Sequence, residues 1–205
     1  MKLKFDRIIS LVTLLASLIA IVLVLKKPAP VGHPQPAASI AEHAESFDRK
    51  MAEFEQATQQ PNASSAPDDT SKAEVRINSD EVSAVLAQSL GNSGATLTPA
   101  SNVGSAAPTI KDQQVSFDGD LVHGQFLTQI AGKDVWITIS GHLGEKDGYA
   151  TFDPTEFKVG DLNVPVSLVN PALQKKLIEQ RDRLKLPDNV GNVKIEDSQL
   201  VMQQK

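Results

Sequence analysis

Eighteen consecutive residues, Ile8 to Leu25 (IISLVTLLASLIAIVLVL), carry no charge, proline or glycine. As a helix rising about 1.5 Å per residue this run is roughly 27 Å long, close to the hydrocarbon thickness of a bilayer. A segment of that length without charges reads as a candidate membrane span. Residues 1–27 are therefore expected to form an N-terminal transmembrane anchor.

A cleaved signal peptide would have a shorter apolar core followed by small residues. Here Lys26 and Lys27 follow the run, and the small residues Pro36-Ala37-Ala38-Ser39 stand well beyond it. The chain has no cysteine, so lipid attachment at a cysteine is impossible. An uncleaved single-pass anchor is the expectation. Lys2, Lys4 and Arg7 precede the span, with Lys26 and Lys27 on its other side, so the charge rule gives a modest orientation. A seven-residue tail cannot be a domain, which favours a cytoplasmic membrane location with the bulk of the chain extracytoplasmic. The reverse topology stays open.

The whole chain has net charge −5, but residues 28–205 hold fifteen basic against twenty-four acidic residues, net −9. Nucleic acid partners need clustered Lys and Arg, and that balance argues against them. It argues equally against a polybasic grip on anionic headgroups. With no cysteine there is no disulfide, thiol nucleophile or cysteine-held metal. The stretch 73–205 is long enough to bury its own core, and scarce aromatics make that core mainly Val, Leu and Ile.

Between anchor and domain the sequence divides three ways. Residues 28–38 are proline-rich and expected to be an extended spacer. Residues 39–60 read as an amphipathic helix opened by Ser39-Ile-Ala-Glu42 in capping-box spacing. Its Ile40, Ala44, Phe47, Met51, Phe54 and Thr58 follow heptad spacing, and Ile40, Phe47, Met51 and Phe54 form a candidate oligomer seam. Three uses of that seam stay open: docking on its own domain, a homodimer, or an envelope protein partner. Residues 61–72 are small, polar and expected to be a disordered linker; Asn62-Ala-Ser64 within it matches a glycosylation acceptor by chance.

The remainder, 73–205, is expected to be one extracytoplasmic α+β domain. Val75 and Ile77 suggest a strand, and Ser79–Leu90 a helix capped by Asn78 or Ser79 and stopped at Gly91. Val82, Val85, Leu86 and Leu90 form that helix's apolar stripe. A long small-residue loop, 91–108, follows. From Thr109 to Val164 apolar alternation is punctuated by Asp118-Gly119, Gly132-Lys-Asp134 and Lys146-Asp147-Gly148, an antiparallel meander. Ser167–Leu184 reads as a long amphipathic helix, and two short strands around Asp197-Ser198 close the chain. The expected fold is a curved antiparallel β-meander packed on that long helix.

Chemistry-bearing patterns are absent from the sequence. There is no Gly-x-Ser-x-Gly elbow and no phosphate loop. His123 and His142 fall on neighbouring strands without metal-ligand spacing. The aspartates stand where turns need a short polar side chain. No enzyme, cofactor or metal is expected. Trp136 alternates with the buried set Val135, Ile137 and Ile139, and either covers the second sheet face or contacts a ligand or lipid.

From Asp147 onward the segments Asp147-Gly-Tyr-Ala-Thr-Phe-Asp-Pro154, Phe157-Lys-Val-Gly-Asp-Leu-Asn-Val-Pro165, Leu186-Pro187 and Val193-Lys-Ile-Glu-Asp-Ser-Gln-Leu-Val201 form a recognisable series. The series resembles the YpmS-like family of membrane-anchored bacterial envelope proteins of unknown function and, more loosely, LmeA-type extracytoplasmic lipid-binding proteins. The resemblance implies a curved sheet wrapping a long helix with an apolar groove between them, and no catalytic residues. Val169, Leu173, Leu177, Trp136, Ile137 and Phe152 are the candidate groove residues, and a lipid is the candidate ligand.

Overall fold

A computed structural model describes residues 2–32, 35–59, 72–93, 110–130 and 132–205; within these, side chains are described except at 2–11, 37 and 89–93. Residues 61–71 of the expected linker at 61–72, with Asn62, and most of the expected loop at 91–108 lie outside these residues. The order is α1 (Lys2–Leu25), α2 (Ala37–Gln59), β1 (Glu74–Ile77), α3 (Ser79–Ser93) and β2 (Ile110–Asp118). There follow β3 (Leu121–Ile130), β4 (Lys133–Lys146), β5 (Tyr149–Val159), β6 (Leu162–Asn163), α4 (Val166–Glu179), β7 (Val190–Glu196) and β8 (Gln199–Gln204). The protein is mixed α+β.

The meander is present as a five-stranded antiparallel sheet in the order β2-β3-β4-β5-β6. Its strands alternate as the sequence requires, and its turns use Gly119, Asp147, Gly148 and Gly160 at positive φ. β5 runs unbroken through Pro154 because the ladder slips there: Gly141 faces Pro154 while Ser140 faces Glu156, which leaves Thr155 bulged.

The closing hairpin does not extend this sheet. It pairs with β1 from the start of the domain, giving a second, three-stranded sheet β1-β8-β7, with Val75 opposite Met202 and Ile77 opposite Leu200. Its turn, Asp197-Ser198, abuts the β2–β3 turn: Ser198 N donates to Gly119 O at 3.0 Å, and Gly119 N donates to Ser198 Oγ at 3.0 Å.

α2 lies on the three-stranded sheet. Phe54 is buried with Val75, Ile77, Val190 and Val193, and Phe47 and Met51 pack against the same cluster. The heptad seam thus faces its own domain, with Ala44 buried and Ile40 half-buried. Of the three uses left open for the seam, docking on its own domain is the one the described contacts display; Ile40, Phe47 and Met51 stay half-buried. α2 also starts earlier than expected: Ser39 N and Ile40 N donate to Pro36 O, so Pro36 rather than Ser39 stands at the helix entrance.

α3 begins with a reciprocal capping box, Glu81 N to Asn78 Oδ1 at 2.8 Å and Asn78 N to Glu81 Oε2 at 2.9 Å. It continues past Gly91 to Ser93. It buries Ala84 and Glu81, while Val82 and Val85 are half-buried and Leu86 is exposed. Ser83 Oγ donates to Val115 O and accepts from Val115 N, which closes the outer edge of β2.

The long C-terminal helix departs most from expectation. α4 ends at Glu179, a 3-10 turn covers Arg181–Leu184, and the helix has no buried residue. It runs beside β5 instead of being wrapped by the sheet. Leu168 and Ile178 stand 72% and 71% exposed.

Among the residues with described side chains, no helix is long and apolar enough to cross a membrane. The described side chains of α1 begin at Val12, so the spanning reading rests on the sequence of Ile8–Leu25.

Candidate functional site

The two faces of the five-stranded sheet have opposite chemistry. On β4 the odd positions Val135, Ile137, Ile139 and Leu143 share one face. The register sets them beside Phe126 of β3 and Phe152, Phe157 and Val159 of β5, and β2 adds Val115 and Phe117. Two glycines let aromatic rings lie flat there. A Cβ at Gly124 would come 3.0 Å from Phe126 Cε2, and one at Gly141 would come 2.7 Å from Phe152 Cζ. Val115 and Val135 are buried, but Phe117, Phe126, Ile137, Ile139, Phe152, Phe157 and Val159 are only half-buried. Such a run of incompletely covered apolar side chains marks a surface that gains free energy from a further apolar contact.

Of the six candidate groove residues, Ile137 and Phe152 lie on this face. Val169, Leu173 and Leu177 are half-buried on α4, which Gln174 Nε2 ties to Phe152 O at 3.3 Å. Trp136 does not join them. Strand alternation turns it to the opposite face, where it is buried, so it is removed from the groove set.

The opposite face is polar and is crossed by a strap, residues 26–32, that continues toward Gln35. Within the expected linker at 28–38, residues 28–32 are without helix or strand as an extended spacer would be, but they are hydrogen-bonded to the sheet, and Ala37 and Ala38 belong to α2. Gln125 Nε2 donates to Ala29 O at 3.0 Å and to Thr138 Oγ1 at 3.2 Å. Gly32 lies so close to Val115 that a Cβ would come 3.2 Å from its carbonyl. Gln35 Nε2 reaches Asp80 O and Oδ1, both at 3.0 Å. Clefts of about 540 and 450 Å³ open along the strap, and His123 lines both.

His123 Nδ1 and Ser140 Oγ are hydrogen-bonded at 2.7 Å, and Ser140 is buried. The pair fastens β3 to β4 beneath the strap. His142 Nδ1 stands 3.3 Å from Asp120 Oδ2 at the exposed end of the same face. The two histidines are thus on one face with separate partners, and no group of three metal-ligating side chains occurs among the described residues.

The strap begins where α1 meets the sheet. Asp161 N donates to Leu23 O at 2.8 Å, satisfying one of the carbonyls that a helix C-terminus leaves open. Lys26 Nζ pairs with Asp161 Oδ2 at 2.6 Å. Gly160 N donates to Trp136 O at 2.7 Å, and Gly160 adopts φ +60 directly against the Leu23 and Val24 carbonyls. Lys27 Nζ sits 5.7 Å over the Trp136 ring. Sequence reasoning missed this junction, because the sheet was expected to continue through Gly160-Asp161 to Val164.

A buried charge locks α2 to α3. Glu81, 2% exposed, accepts from Ser46 Oγ at 2.7 Å and Lys50 Nζ at 2.8 Å in addition to Asn78 N. Burial pushes its carboxyl up, but Lys50, Ser46 and the Asn78 amide together outweigh this and hold it below the usual carboxylate value.

No protein family, curated protein or solved structure matches this chain.

Proposed function

We propose that this chain is a membrane-anchored, non-catalytic envelope protein. In this reading its extracytoplasmic domain holds a lipid acyl chain, or another apolar ligand, against the open face of the five-stranded sheet. The observation that carries the reading is the set Phe126, Ile137, Ile139, Phe152, Phe157 and Val159, which share one face and stay only half-buried. The apolar run Ile8–Leu25 would keep that face near lipid, and the resemblance to YpmS-like and LmeA-type envelope proteins points the same way. The site is an open face rather than a closed cavity, which suits a ligand taken up from, or shared with, the bilayer.

The test is a photoactivatable acyl lipid incorporated into membranes carrying the full chain. Crosslinks should map to Phe126, Ile139 and Phe157 as well as to α1. Labelling confined to α1 would remove the ligand reading.

A second reading rests on Leu168 and Ile178, which stand out from α4 with most of their surface exposed. As contacts to an envelope protein they would make this domain an interaction subunit. Replacing both with serine should then change the assembly state in mild detergent and leave lipid labelling intact.

A further inference from the structure

We infer that the β3–β4 hairpin is a foot that rests in the bilayer interface beside α1; the inference depends on the anchor reading of Ile8–Leu25. The register supplies the geometry. β4 pairs with β3 from Lys133 opposite Ile130, but β5 first reaches β4 at Ile137, opposite Val159. At about 3.3 Å per residue, the hairpin therefore projects about 13 Å past the end of β5.

α1 is fixed at that same end. Its Leu23 carbonyl is held by Asp161 and its Lys26 by the Asp161 carboxylate, in the turn that immediately follows β5. Ala20, Leu23 and Val24 share one helical face and are half-buried, and α1 contacts β4 and β6. The hairpin thus projects where the apolar run meets the domain. A helix leaving the domain there into a bilayer brings the hairpin tip to the membrane surface.

The tip has interfacial chemistry. Ile130, at the end of β3, is 48% exposed. Lys133 is exposed beside it, and Lys111 Nζ pairs with Asp134 Oδ1 at 2.6 Å. An aliphatic side chain flanked by lysines suits the boundary between acyl chains and headgroups. Two points of contact, helix and hairpin, would fix the tilt of the domain and the direction in which its apolar face opens.

The absence of cysteine makes the test clean. Single-cysteine full-length chains, Leu14→Cys, Ile130→Cys and Ser198→Cys, are labelled with an environment-sensitive fluorophore and placed in vesicles of zwitterionic and anionic lipid. Ser198 touches the β2–β3 turn, at the far end of β3 from Ile130. The Leu14 label should be quenched by deep spin-labelled lipid and the Ile130 label by shallow spin-labelled lipid with a blue shift. The Ser198 label should show neither. An unquenched Leu14 label overturns the anchor itself. A quenched Leu14 label with Ile130 behaving like Ser198 overturns the foot alone, as does an Ile130 label shielded from water yet untouched by lipid quenchers, which would signify a protein contact.

Discussion

The backbone amide of Asp161 donates to the carbonyl of Leu23 at 2.8 Å, so the apolar helix is hydrogen-bonded to a turn at the end of the meander. This bond, with Lys26–Asp161 and the strap across the polar face, converts a tether into a mount. The direction of the open apolar face relative to α1 is then set by the fold.

Gly160 is the position on which the mount depends. Alanine there must adopt φ +60 and place its Cβ against the Leu23 and Val24 carbonyls, a cost of roughly 1–3 kcal/mol. Gly160→Ala is expected to undock α1 locally, shifting Trp136 emission to the red and increasing its quenching by acrylamide. Gly119→Ala has a similar φ but open space around it, and is expected to leave Trp136 unchanged.

Glu81 makes stability depend on acid. Its folded carboxyl titrates below the unfolded value, so its contribution is complete above the unfolded pKa and is lost as pH falls through the folded one. Glu74, hydrogen-bonded by Gln203, and Glu179, hydrogen-bonded by Lys176, are shifted the same way. Denaturant midpoints are expected to fall as pH is lowered below about 4.5, near the ordinary glutamate value. Glu81→Gln should cost about 1–3 kcal/mol at neutral pH and flatten that dependence.

Much of this was open to reading in the sequence, for reasons that differ by element. Val135–Ile139 alternates and its turns are local, so the meander is written within neighbouring residues. The pairing of β1 with β8 joins the two ends of the domain, and no local pattern specifies it. The stripe on α4 marks a partly covered side but not which strand it meets, and the helix lies beside β5. Trp136 is instructive: alternation with Val135 and Ile137 already placed it on the opposite face from the groove. Prolines at 28–36 encode an extended chain but not the sheet beneath it, which Gln125 and Gly160 reveal only in three dimensions.

Gly141 supports the seating of Phe152. A Cβ there would meet Phe152 Cζ at 2.7 Å and Pro154 Cα at 2.9 Å, and would run into the Asp153 carbonyl. Backbone cannot yield as a flexible side chain can, so Gly141→Ala is expected to lose about 2 kcal/mol or more in chemical denaturation. Gly144→Ala, whose nearest neighbour is Thr151 Oγ1 at 3.2 Å, should lose less.

The open face separates binding from stability. Ile139 is half-buried, so Ile139→Glu should cost about 1–2 kcal/mol and leave the chain folded. Val201 is fully buried, and Val201→Glu should prevent folding. Circular dichroism melts check the contrast. The acyl photolabelling described above should be lost in folded Ile139→Glu.

The most direct test of a lipid-holding anchored domain is native mass spectrometry of the full chain, extracted from membranes in mild detergent and followed by lipid analysis of the same sample. The account expects a discrete added mass of one lipid or apolar molecule, retained through detergent exchange and absent from folded Ile139→Glu. A bare protein mass for the unsubstituted chain, or an added mass that survives unchanged in that variant, would contradict it.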